Sequence, residues 1–231
     1  MPHGPITEVL PDVFFVVGTM RNEFFGSDWQ FSRNMTIVRE GEELTIFNSV
    51  RLNDQGLAHL DTLGSVVKVV RLGDMHGVDD RFYLDRYDAQ FWALPDMTIE
   101  EGVQIDQALT VDGPQPLQNS SLFIFHTVKR PECIVRLDRD GGIMLACDSL
   151  QNWTQPNEFF DEHTIKTMSG MGFFQPANLG PAWMHTSEPR AEDLARLKRV
   201  EFTHAICGHG EPLLGGARAQ YHETFKRLFD V

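Results

Sequence analysis

Four apolar runs in this chain end in a side chain able to bind a metal ion. Val66-Val67-Lys68-Val69-Val70-Arg71-Leu72 leads through Gly73-Asp74-Met75 to His76, and Leu122-Phe123-Ile124-Phe125 leads to His126. Ile143-Met144-Leu145-Ala146-Cys147 ends at Asp148, and Ala205-Ile206-Cys207-Gly208 at His209. Imidazole and carboxylate suit zinc, iron or manganese. A catalytic ion uses about three protein ligands and keeps a position for water, whose pKa it lowers toward ~7. The hydroxide so formed is a nucleophile at neutral pH. One strand ending this way carries no information. Four of them predict that distant segments converge on one polar crevice beyond the carboxyl ends of the strands.

The order of these residues and their neighbours resembles the metallo-β-lactamase superfamily. Leu145-Ala146-Cys147-Asp148-Ser149 is similar to the family's strand ending in Gly-Asp, with Cys147 in place of the glycine. Ile206-Cys207-Gly208-His209-Gly210-Glu211-Pro212 is similar to its Gly-His-Gly-x-Pro segment. His126 falls where the family places its middle histidine, and the opening strands and hairpin also fit. The first motif departs from the pattern. Where the family has His-x-His-x-Asp-His, this chain has Asp74-Met75-His76-Gly77-Val78-Asp79-Asp80. Aligned on the second histidine, Asp74 and Asp79 replace histidines and Val78 takes the place of the motif's aspartate; a shift of one or two residues gives that place to Asp79 or Asp80.

The resemblance implies a four-layer αββα sandwich, an α/β (α+β) fold, formed by a single domain over residues 1–231. It implies metal-dependent hydrolysis of a small-molecule substrate by metal-bound hydroxide. His76, His126, Asp148 and His209 are the expected metal ligands. Asp148, Asp79 and Asp80 are the expected catalytic carboxylates, the last two as ligand or proton acceptor. Because the first motif keeps a single histidine, one firmly held divalent ion is expected (zinc, iron or manganese), with at most a weak second. The altered motif also supports a different reading, a non-catalytic or metal-depleted binding module on the same fold. Each residue has a plainer role open to it as well. Asp148 could cap a turn, His126 could be a hydrogen-bonded core residue, and Asp79 and Asp80 could pair with Arg81 and Arg86.

The elements that must position these groups are legible from pattern. Residues 13–17, 35–38 and 44–47 are β-branched or aromatic runs, the last two joined through Glu40-Gly41-Glu42-Glu43. Leu57, Leu60 and Leu63 give residues 53–63 helical spacing, and residues 90–94 form a strand closed by Pro95. In the second half, residues 122–125, 133–137 and 143–147 read as strands. Ser187 reads as the cap of a helix carrying Pro189, Leu194 and Leu197, and residues 217–229 form a terminal helix. Residues 170–185 show no period and read as a long loop near the site.

Composition sets the bounds. At 231 residues, 42% hydrophobic and 23% charged, the chain has the composition of a soluble globular protein. A net charge of -13 disfavours nucleic acid as a partner. No apolar run approaches the ~20 residues needed to cross a bilayer, so no membrane partner is expected; association into oligomers is left open. Three cysteines, none in a Cys-x-x-Cys pair, read as buried free thiols of a cytoplasmic protein.

Overall fold

The computed structural model describes residues 2–24 and 26–231. Its first half is a seven-stranded sheet in sequence order. The strands are β1 (Thr7–Leu10), β2 (Val13–Phe24), β3 (Ser27–Glu40), β4 (Glu43–Phe47), β5 (Ser65–Val70), β6 (Gln90–Ala93) and β7 (Gln107–Ala108). Helix α1 (Asp54–Leu63) joins β4 to β5, and α2 (Asp80–Tyr87) joins β5 to β6. The first four strands pair antiparallel and the rest parallel, with helical crossovers at β4–β5 and β5–β6 and a longer non-helical connection at β6–β7.

A second sheet holds β8 (Ser120–Ile124), β9 (Cys133–Leu137), β10 (Ile143–Leu145) and β13 (His204–Ile206), in the order β13-β10-β9-β8. A two-stranded ribbon of β11 (Leu150–Gln151) and β12 (Asn178–Leu179) lies beside it. The remaining helices are α3 (Glu162–Gly170), α4 (Pro181–Ser187), α5 (Ala191–Leu197) and α6 (Ala217–Phe229).

Strand alternation decides the layering. Successive side chains point to opposite faces, and in the second sheet they enter two different cores. Cys133, Val135, Ile143, Leu145 and Ile206 join the core that contains the first sheet with Leu57 and Leu60 of α1 and Tyr83 of α2. Ile134, Met144, Ala146 and Ala205 join the core built by Trp183, Leu194, Leu197, Tyr221 and Phe225 of α4, α5 and α6. Helix, sheet, sheet, helix is therefore the order of layers: an αββα sandwich.

Three helices, α2, α3 and α4, escape the sequence pattern. Residues 170–185, read as a loop, include β12 and most of α4, with Pro181 in the first turn of that helix. Ser187 ends α4 rather than capping the next helix, which begins at Ala191 behind Arg190. Glu188 lies between them at φ 46°, a left-handed residue that stops one helix before Pro189 can permit another. Helix α3 was also missed; Asp161 caps it by accepting from the Thr164 backbone N–H at 2.7 Å. The β2–β3 hairpin runs well past the apolar stretches that announce it, pairing Val13 with Val38 at one end and Phe24 with Ser27 at the other.

Candidate metal centre

His76, Asp148 and His209 come together at the carboxyl ends of strands from both sheets. Their ligand atoms all lie within 4.8 Å of one another. His209 Nε2 is 3.0 Å from Asp148 Oδ1, His76 Nε2 is 3.4 Å from Asp148 Oδ2, and the two Nε2 atoms are 3.1 Å apart. Ligands ~2.0–2.1 Å from a tetrahedral ion stand roughly 3.3 Å from one another. The three separations thus fit donors that share one ion, and two imidazoles with a carboxylate are a donor set that zinc accepts.

Each donor is held from behind. The Nδ1 of His209 meets the Ser32 carbonyl at 3.1 Å, so Nδ1 carries the proton and Nε2 keeps its lone pair for an ion. The turn bearing His209 is clamped by Asn34 of β3. Its amide nitrogen donates to the carbonyls of Cys207 (3.0 Å) and Gly210 (2.6 Å), while its backbone N–H donates to Gly208 (2.8 Å). Gly210 is required: at φ +83° a Cβ there would lie 2.2 Å from the Asn152 carbonyl carbon.

His76 sits on a loop fastened by two buried ion pairs. Arg71 Nε donates to Asp80 Oδ2 at 2.7 Å, and the same guanidinium donates to the Thr98 carbonyl at 2.8 Å. Ser49 Oγ donates to the other Asp80 oxygen at 2.5 Å. Arg33 pairs with Asp79, whose Oδ2 also accepts the Arg51 backbone N–H at 2.8 Å. Asp79 and Asp80, expected to act in catalysis, are thus placed as the anchors of this loop, paired with Arg33 and Arg71 rather than Arg81 and Arg86.

His126 is not brought to the other three. Phe125 turns inward at the end of β8 and packs edge-on against Trp183 with ring centroids 5.0 Å apart, which leaves the His126 ring exposed. The backbone N–H of His126 donates to Asp193 at 2.8 Å. A group that sequence reading missed lies on the other side of Asp148. Glu132, Cys147 and Asp148 also have ligand atoms within 4.8 Å of one another, and Glu132 Oε1 accepts the Ser149 backbone N–H at 2.6 Å. Glu132 opens the β9 run next to Cys133, and a charged residue adjoining a largely buried strand was the available signal.

Electrostatics sort these groups. Burial pushes the Asp148 carboxyl upward, but the imidazoles of His76 and His209 beside it outweigh burial and hold it well below the usual range. Burial lowers His209 although the Asp148 carboxylate beside it pulls the other way, so its imidazole stays neutral and able to ligate. Burial, reinforced by the Asp148 charge, raises Glu132 well above an ordinary carboxylate. The thiols of Cys133, Cys147 and Cys207 are all free, buried and raised, Cys207 to about 12.

The cluster lines a cavity with about 90 Å³ of room for water-sized molecules. Phe24, Trp29 and Phe31 of the β2–β3 hairpin line it together with Trp153, Met168 and Phe173. The Trp153 ring lies 4.7 Å from that of His209, and its Nε1 donates to Ser32 Oγ at 3.0 Å.

This architecture recurs in solved structures. A metallo-β-lactamase from Hirschia baltica superposes with a TM-score of 0.61 at 14% identity, covering 96% of this chain and 98% of that one. The DIM-1 metallo-β-lactamase exposed to ceftazidime gives 0.63 at 14% identity, with 96% of both chains covered. FIM-1 from Pseudomonas aeruginosa, in its mono-zinc form, gives 0.59 at 14% identity over 97% of this chain and 96% of that one. The chain has the metallo-β-lactamase fold. No protein-family model matches its sequence, and no curated protein matches it either. Identity this low carries the architecture and not the reaction. Among the described residues, no helix is long and apolar enough to cross a membrane.

Proposed function

We propose that this protein is a metal-dependent hydrolase of a small substrate, with His76, Asp148 and His209 as ligands of one divalent ion. The observation that carries the reading is the convergence of their ligand atoms within 4.8 Å at the inner end of an aromatic cavity. An ion bound there supplies Lewis acidity and activates water at neutral pH. The residues supply the rest. Asp148 brings the negative charge that favours a cation, the Ser32 carbonyl fixes the His209 tautomer, and the aromatic wall keeps bulk water from the reacting bond. Asp79 and Asp80 act by holding His76 in place. One ion also fits the first motif, which supplies a single histidine, and FIM-1 is a neighbour of the same fold known in a mono-zinc form.

A second reading, a binding module without chemistry, is favoured by the small number of imidazoles. Elemental analysis of protein purified without chelators, alongside assays on a panel of esters, lactones and amides, separates the two. The hydrolase reading expects about one ion per chain, lost in Asp148→Ala and His209→Ala, and hydrolysis that requires it. Two tightly held ions would overturn the single-ion assignment. No metal under any loading condition would hand the case to the binding module.

A further inference from the structure

Strand β3 is longer than one of its neighbours. Its pairing with β4 stops at Thr36, opposite Phe47, while its pairing with β2 continues to Ser27. Beyond Thr36 the β4 edge of β3 has no partner strand among the described residues. The turn after β13 takes that place. The Asn34 N–H donates to the Gly208 carbonyl at 2.8 Å, and two residues back the Ser32 carbonyl meets His209 Nδ1 at 3.1 Å. An imidazole thus stands where a neighbouring strand would donate. The carbonyl is a firm reference point, because Ser32 is buried and its strand is paired with β2 throughout. One hydrogen bond at Nδ1 sets the tautomer but leaves the ring able to tilt. Fixing the direction of Nε2 needs a contact on the ring face.

Trp153 supplies that contact. Its ring centroid lies 4.7 Å from that of His209, closer than Phe31 at 5.9 Å. The indole is itself pinned, since its Nε1 donates to Ser32 Oγ at 3.0 Å. Phe160 and Phe173 brace it further, with centroids 5.6 Å and 6.1 Å away. His209, Ser32 and Trp153 therefore form a closed triangle in which each touches the other two. Building on the hydrolase reading, we propose that Trp153 is a positioning residue for the metal ligand His209, acting on the face of the imidazole and through the Ser32 hydroxyl. Metal sites hold ligand distances to within ~0.2 Å, so a ring free to tilt loses affinity even while it keeps its hydrogen bond. Outer partners of metal-bound histidines are worth about 10–100-fold in affinity.

Zinc titration of folded, chelator-stripped protein and the imidazole nitrogen spectrum of the metal-free protein test this assignment. Trp153→Phe keeps an aromatic face and removes the Nε1 donor. Ser32→Ala removes the acceptor and leaves the backbone carbonyl in place. Each is expected to weaken zinc binding about tenfold, and the double variant no further, because both cut the same link. Trp153→Leu loses the face as well and is expected to approach a hundredfold loss. Metal-free wild type should show His209 as a single Nδ1–H tautomer with a sharp ring-proton signal, broadened in Trp153→Leu. Should Trp153→Leu fail to fold, Ser32→Ala, which removes one oxygen atom, carries the test. A merely structural Trp153 would lower the melting temperature of these variants while leaving zinc affinity and the imidazole spectrum unchanged. That outcome would overturn the proposal, and so would additive losses in the double variant. The altered imidazole spectrum in a protein whose wild type takes up no zinc would sink the hydrolase reading and leave the positioning of His209 by Trp153 standing.

Discussion

The Nε2 atoms of His76 and His209 stand 3.1 Å apart although 133 positions separate the two residues in the chain. His209 holds its proton on Nδ1, toward the Ser32 carbonyl, so its Nε2 offers a lone pair. In the absence of an ion, His76 can satisfy it with one N–H; with an ion, both lone pairs point at the same charge. Zinc should therefore bind the folded protein and not the unfolded chain. At a free concentration 100 times its Kd it should add about 2.7 kcal/mol to stability. Thermal melts of chelated protein with and without zinc measure this. A shift of equal size in His209→Ala would show that zinc acts elsewhere.

Protons compete for the same site, and the sign follows from burial. Burial lowers His209 in the folded protein, while an unfolded histidine titrates near ~6.5. As pH falls through that value the unfolded chain takes its proton first, so His209 destabilises the folded, metal-free protein on the acid side. Asp148, held low, has the same sign, but its contribution is lost only as pH falls below ~3.9. Glu132 has the opposite sign, since burial raises it and its contribution is lost as pH rises above ~4.3. A comparison of variants therefore isolates His209. Between about pH 7 and pH 5.5, His209→Gln should lose less stability than wild type in urea melts of chelated protein. Equal losses would mean that His209 does not titrate as its burial dictates.

The acids of the first motif make a different kind of prediction. The side chains of Arg71 and Asp80 are 5% and 2% exposed. Asp80→Ala would leave the Arg71 charge buried and unpaired, at a cost of about 3–5 kcal/mol. Removing both, as Arg71→Met with Asp80→Ala, should recover part of that loss, because the unpaired charge goes with it. Urea melts of the three variants give the coupling directly. If Asp80→Ala lost less than about 0.5 kcal/mol, as an exposed surface change does, Asp80 would not be the anchor described here, and a direct catalytic role would regain ground.

The sequence disclosed the sheets, the terminal helix and three of the clustered donors for one physical reason. A buried strand must be apolar and its last residue need not be, so a polar residue ending an apolar run stands out. The same logic placed His126 with the others, and there it fell short, because the run before it does not say which way the chain turns. At Phe125 that choice is made by Trp183, which lies 58 residues further along the chain. Asp79 and Asp80 were visible as acids, but their partners Arg33 and Arg71 lie on β3 and just after β5, and only tertiary contact joins them. Asn34, which clamps the His209 turn, was hidden among strand residues with no period to mark it.

The cysteines give the last prediction. Cys133 and Cys147 are fully buried and Cys207 is 2% exposed. Burial raises all three thiols, and neighbouring carboxylates raise Cys133 and Cys147 further. A thiol reacts as its thiolate, so these are inert on two grounds, lack of access and lack of ionisation. Cys207 gains no general base, since its sulfur meets the Tyr221 hydroxyl at 3.6 Å, a group itself raised by burial. Cys147 meets Asp148 Oδ2 at 3.5 Å, but the lowered pKa of that carboxylate makes it a poor proton acceptor. Native protein should therefore give no fast reaction with a chromogenic disulfide reagent, and denatured protein should give three thiols per chain. A fast-reacting thiol in the native state would contradict the burial argument. A Cys147 thiol that becomes reactive only when zinc is stripped from native protein would instead place its sulfur on the ion, and the ligand set would then have to include it.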